Sequence, residues 1–153
     1  VSTILGVDPG ETTGWAVYNT LSRRVEQSGQ FATYLLPLIA ASLADACDRI
    51  VIERPVAHGP TRPQVVECAW IAGRLIERLG RRCEERTRLD VKKALTAATH
   101  GEVVVRNDAT AWAALLLLHG GAADAKKNGP LHGVRAHERA ALAVAYALHC
   151  EVK

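Results

Sequence analysis

The stretch Ile4-Leu5-Gly6-Val7-Asp8-Pro9-Gly10-Glu11-Thr12-Thr13-Gly14-Trp15-Ala16-Val17-Tyr18 decides how the rest of the chain is read. A short apolar run ends on one carboxylate, a Pro-Gly turn follows, and a second strand-like run begins. An aspartate that closes a buried strand is costly to desolvate unless a cation or hydrogen-bond donors receive it. Asp8 therefore reads as either a metal ligand or a phosphate-loop residue, and the rest of the sequence has to choose between them.

Working outward, the 153 residues, 48% hydrophobic and 23% charged, have the make-up of an ordinary globular protein. One domain over residues 1–153 is expected, burying roughly two thirds of its unfolded surface without disulfide staples. A net charge of +3 permits a polyanionic partner without demanding one. No apolar run is long enough to span a membrane, and the N-terminal residues lack a signal-peptide layout, so a cytoplasmic location with no membrane partner is expected. Cys47, Cys68, Cys83 and Cys150 are scattered with no CxxC pair, which favours reduced thiols over zinc.

Alternation and turn signals place strands at 2–8, 14–19 and 24–32, joined as an antiparallel meander. Alanine-rich helical spacing follows over 34–47. Residues 48–53 then form a short buried strand that again ends on a carboxylate, Glu53. Pro55, Gly59, Pro60 and Pro63 mark a loop over 54–62, and Pro63 suits the first turn of a helix over 63–80. A charged fifth strand, 82–87, belongs at an edge. A short helix at 90–98, a helix capped by Asp108, a polar loop over 124–135 and a last helix at 137–150 complete the chain. This order, βββαβαβα with extra helices, is that of the α/β ribonuclease H-like fold. Its five-stranded mixed sheet has three antiparallel strands and two parallel ones, with helices on both faces.

The helix over 63–80 is apolar nearly all round, so it should be buried on more than one side. One side would face the sheet and the other a second copy, giving a symmetric homodimer that Ala72→Arg should break. The alternative is cover by the 107–119 segment of the same chain.

Asp8 and Glu53 both stand where a buried strand gives way to a loop. In a parallel pair such ends lie about 4.8 Å apart, and two carboxylates there repel unless a cation, Mg²⁺ or Mn²⁺ by preference, lies between them. Each has a simpler reading alone: Asp8 as a turn former, Glu53 paired with Arg54 or another arginine. His137 opens the last helix, where positions 137, 140 and 141 share a face. By itself such a histidine reads as a surface or capping residue.

ILGVDPGETTGWAVY, IVIERP, DVKKALTAATHG and HERAALAVAYALHC, in that order and over almost the whole chain, resemble the RuvC-type Holliday-junction resolvases. These are dimeric ribonuclease H-like endonucleases. The resemblance implies that Asp8, Glu53 and His137 are metal ligands in a site holding two Mg²⁺ or Mn²⁺ ions. It implies a further ligand at position 140, where the family has aspartate and this chain has Ala140, so the chain as written is expected to be impaired. Glu138 could replace that ligand only from off the 137/140 face. The resemblance also implies phosphodiester hydrolysis on branched DNA, with Asp8, Glu53, His137 and the residue at 140 catalytic and Lys92 near the scissile phosphate.

Phosphate contacts are expected from Lys92, Lys93, Arg54, His58, Arg62, Lys126 and Lys127. The 54–62 loop carries no aromatic residue with which to wedge a crossover. Two other readings stand beside this one. GVDPGETTG resembles the first phosphate loop of actin-like ATPases, but no second such loop exists, so no nucleotide cofactor is expected. The other is a branched-DNA-binding protein that does not cleave, or, further off, a general flap nuclease.

Overall fold

The computed structural model describes residues 2–56, 59–80 and 83–151, without the side chains of residues 33, 36, 37, 39, 40, 123 and 124. Three antiparallel strands come first: β1 (Thr3–Asp8), β2 (Thr12–Asn19) and β3 (Arg24–Ala32). A 3₁₀ turn at Thr33–Leu35 leads into α1 (Leu36–Asp45), then β4 (Arg49–Arg54), α2 (Pro63–Leu79) and β5 (Cys83–Thr87). Three further helices follow: α3 (Arg88–Ala98), α4 (Asp108–Leu118) and α5 (Ala136–Glu151). The sheet order is β3-β2-β1-β4-β5, with β4 parallel to both β1 and β5. This is the five-stranded mixed α/β sheet that the element order implied.

Period-two alternation sorts the strand residues between two cores. Leu5, Val7, Val17, Ile50 and Ile52 face α1 and α2, where Ala44, Cys47, Ile71, Ala72 and Leu75 close one core. Ile4, Ala16, Tyr18 and Val51 face the other way, onto α5, with α3 and α4 packed outside it. Every residue from Ala141 to Leu148 is buried, so α5 is the helix that is apolar all round because it is covered all round.

Helix α2 is different. Its sheet-facing side, Cys68, Ile71, Ala72 and Leu75, is buried, while Val66 and Trp70 are 57% and 61% exposed. The 107–119 segment does not cover it, because α4 belongs to the core on the opposite face of the sheet. Ala72 is 3% exposed against the sheet, so Ala72→Arg would disrupt the core rather than probe an outer surface.

Among the helix starts that differ from the sequence reading, two matter below. Helix α3 begins at Arg88, two residues before Asp90, because Thr87 is its N-cap: the Asp90 carboxylate accepts from the Thr87 backbone N–H at 2.9 Å in a capping box. These hydrogen bonds hold the Asp90 carboxyl below its usual range. Helix α4 is capped by Asn107, not Asp108: the Asn107 side chain accepts from the Thr110 N–H at 3.0 Å, and Thr110 Oγ1 accepts in return from the Asn107 N–H at 3.0 Å. The carboxylate of Asp108 is thereby left for other partners.

At the β5 edge, Glu84 is paired with Arg49 and Arg86, and Arg86 also reaches Glu151. Charges of this kind guard an edge strand against pairing with another chain. All four cysteines are free, and burial pushes the Cys83 thiol up to about 12.

Candidate active site

Asp8 ends β1 and Glu53 is the last residue but one of the parallel neighbour β4, in the register Val7↔Ile52, and alternation turns both toward α5. Two glycines let α5 rest directly on the sheet above them. A Cβ on Gly6 would stand 2.1 Å from the Ala141 carbonyl oxygen, and one on Gly14 would stand 2.1 Å from that of His137. Gly14 is the residue paired with Asp8 across β1 and β2, so this close approach seats the first turn of α5 beside Asp8. A pocket of about 370 Å³ results, in which Asp8, Asp108, Trp112, His137, Arg139 and Ala140 come together. A second crevice, continuous through Asp108, Arg139 and Ala140, is lined by Glu53, Arg88 and Lys92.

Three carboxylates, Asp8, Glu53 and Asp108, and three cations, Arg88, Lys92 and Arg139, line this cleft. Burial, reinforced by the charges of Glu53 and Asp108 and opposed by Arg88, raises the Asp8 carboxyl to about 7. Glu53 is 8% exposed, and a charge so buried requires a partner. The partner is an arginine, though not Arg54: Arg88 Nη1 donates to Glu53 Oε1 at 2.9 Å. The other guanidinium arm of Arg88 pairs with Asp108. Burial works against the charge on Arg88, but Glu53, Asp108 and Asp8 outweigh it and hold the group protonated. The two arms are unequal. Breaking a buried ion pair costs about 3–5 kcal/mol, whereas an exposed pair is worth about 0–1 kcal/mol. The Asp108 side chain is 70% exposed against 11% for Glu53, so the Asp108 arm is the weak one.

The residues read from the sequence thus separate into groups. Asp8, Glu53, His137, Ala140 and Lys92 line the joined cleft. Arg54 is exposed just beyond Glu53, with Glu85 at 3.9 Å, and Arg62 is exposed at the N-cap of α2. Lys93 is exposed on α3 and lines neither crevice. Lys126 and Lys127 precede a loop tied to the start of β3, where Val25 N–H donates to the Pro130 carbonyl at 2.9 Å, at the opposite end of the sheet from Asp8. His58 lies outside the described residues. Glu138 is no candidate ligand: its carboxylate accepts from Ser28 Oγ at 2.6 Å and from the Arg135 N–H at 3.1 Å, on the β3 side.

The sequence reading missed the observed roles of Arg88 and Asp108, and it missed Arg139 altogether, whose guanidinium stacks 4.5 Å from the centroid of the Trp112 ring. The capping signals Thr87-x-x-Asp90 and Asn107-x-x-Thr110 would have located the first two.

The donor chemistry of Asp8 and Glu53 fits an oxygen-seeking divalent cation. A cation bound there would offset the burial and the like charges of Glu53 and Asp108 that raise the Asp8 carboxyl. Ala140 offers only a methyl group, and no three His, Cys, Asp or Glu side chains converge as a metal cluster among the described residues.

Comparison with solved structures defines the class of fold. The chain has the ribonuclease H-like fold of RuvC. The structure of T. thermophilus RuvC in complex with a Holliday junction substrate matches at a TM-score of 0.64, covering 99% of this chain and 95% of that one at 16% identity. A second Thermus thermophilus RuvC structure matches at 0.68, covering 98% and 95%, again at 16% identity. No protein-family model and no curated protein sequence matches the chain.

Proposed function

We propose that this chain, as a single nuclease domain over residues 1–153, is a structure-selective endonuclease that resolves four-way DNA junctions by divalent-metal-dependent phosphodiester hydrolysis. The observation that carries the reading is the pair Asp8 and Glu53 on adjacent strand ends, facing the first turn of α5 in a fold shared with a junction-bound RuvC. Asp8, Glu53 and His137 would hold two Mg²⁺ or Mn²⁺ ions. When bound there, such ions activate water and stabilise charge on the leaving 3′ oxygen. The chain's own part is to fix geometry and charge. Gly6 and Gly14 set α5 on the sheet, and Lys92 brings a positive charge to the crevice that Glu53 also lines, where a phosphate oxygen can be received. Arg139 adds a fixed positive charge at the mouth.

A homodimer through the exposed face of α2, Val66 and Trp70, would present two clefts to opposed strands and give paired cuts. The work belongs to recombination and repair of DNA in the cytoplasm of a bacterial cell or a phage-infected host. No helix among the described residues is long and apolar enough to cross a membrane.

A second reading is favoured by Ala140 and by the Arg88–Glu53 pair: a protein that binds branched DNA without cutting it. Cleavage of a synthetic four-way junction in Mg²⁺ and in Mn²⁺, by the chain and by Ala140→Asp, separates the two. Paired cuts by either protein support the nuclease. Binding without cuts by both supports the binder, and no preference for the junction over plain duplex overturns the substrate class.

A further inference from the structure

Position 140 is where the cleft lacks a donor, and the structure shows what stands opposite the gap. Three residues line both the Asp8 pocket and the Glu53 crevice: Asp108, Arg139 and Ala140. Of these, Asp108 alone carries an oxygen ligand. Its helix is capped by Asn107, so its carboxylate is not spent on backbone N–H groups. It sits at the rim, 70% exposed, and its charged partner among the described residues is the outer arm of Arg88. The same guanidinium reaches Glu53, so one cation already draws Asp108 and Glu53 toward a common point beside Asp8.

Resting on the metal-dependent reading above, we propose that Asp108 supplies the carboxylate that position 140 lacks, and that Arg88 is the counter-ion holding Asp108 and Glu53 until a divalent cation replaces it. The missing convergence of three donors is then a property of the arginine-held state. Moving Arg88 off Asp108 breaks the exposed arm of its two contacts and frees the Asp108 carboxylate in the pocket that Asp8 and Ala140 also line. A full aspartate at 140 and the Arg88–Asp108 pair would compete for that space.

The test is binding of Mn²⁺ alone to the full chain, measured by calorimetry, with junction cleavage recorded separately. Asp108→Asn should weaken Mn²⁺ by about tenfold or more, as loss of groups that hold or orient a metal does. Arg88→Gln should tighten it several-fold, since a competing cation is gone. The double variant Arg88→Gln/Asp108→Asn distinguishes a ligand from a residue acting through Arg88. As a ligand, Asp108 still costs affinity when Arg88 is absent. If the asparagine has no effect in that background, or if Asp108→Asn binds Mn²⁺ as the parent does, Asp108 is only the partner of Arg88 and the inference fails. It fails equally if the parent takes up no Mn²⁺ at millimolar concentration. Asp108-dependent Mn²⁺ binding with no junction cleavage would uphold the ligand and overturn the nuclease reading, so the two failures do not look alike.

Discussion

Gly14 lies so close beneath His137 that no side chain fits between them: a Cβ on residue 14 would approach the His137 carbonyl oxygen to 2.1 Å and its Cβ to 2.9 Å. The obstacle is helix backbone, which cannot rotate aside as a side chain can. Gly14→Ala should therefore lift the first turn of α5 from β2, destabilising the fold by about 1–3 kcal/mol, as overpacking does. Because Gly14 pairs with Asp8, the same displacement should cost cleavage more than junction binding. Thermal melts and parallel cleavage and binding assays check this. An unchanged melting temperature would mean that α5 does not rest on Gly14.

Asp8 gives the metal-free protein a pH dependence whose sign can be worked out. Its carboxyl is raised from 3.8 to about 7, so the folded protein holds a proton there that the unfolded chain releases. The stability this contributes is complete below about pH 4 and is lost as pH rises through about 7. Asp8→Asn should thus be near neutral at about pH 4 and should stabilise the metal-free protein by on the order of 1–4 kcal/mol at about pH 8, while abolishing cleavage. Melting temperatures across that range, in chelator, test it. A difference between the two proteins that does not grow with pH would mean that Asp8 is ionised and accommodated in the metal-free cleft.

Much of this cleft was legible in the sequence, for a simple reason. Buried strands ending on Asp8 and Glu53 advertise themselves, because a carboxylate at the end of an apolar run has few inexpensive explanations. The period-two pattern then fixes which way each points. Arg88 and Asp108 were harder to place because each sits at a helix start, and a shift of one or two residues decides whether a side chain caps the helix or leaves it. Reading α3 from Asp90 left Arg88 in the gap between the strand over 82–87 and the helix, and taking Asp108 as a cap assigned its carboxylate to the wrong partners. The Trp112–Arg139 stack joins α4 to α5 across the pocket, and no local pattern announces a contact of that kind.

The outer face of α2 carries the dimer proposal. Val66 and Trp70 are exposed in the isolated chain, and Arg74 lies 4.9 Å over the Trp70 ring, keeping that surface partly polar. Val66→Glu with Trp70→Glu should leave the fold intact, since neither residue joins the core beneath α2. The pair should yield monomers by analytical ultracentrifugation and convert paired cuts into single nicks. A variant that still sediments as a dimer would move the interface elsewhere.

Arg139 should report on DNA held at the cleft mouth. It is exposed, lines both halves of the cleft, and is kept extended by its stack on Trp112. A phosphate bound there releases counterions, so Arg139→Gln should weaken junction binding more at low salt than at high salt and reduce the salt slope of log K by about 1. Trp112→Ala leaves the charge but removes the surface that orients it, and should weaken binding while keeping the slope. Titrations of four-way junction at several salt concentrations distinguish the two variants. If Arg139→Gln leaves the slope unchanged, its guanidinium meets no phosphate, and the stack on Trp112 serves only to join α4 to α5.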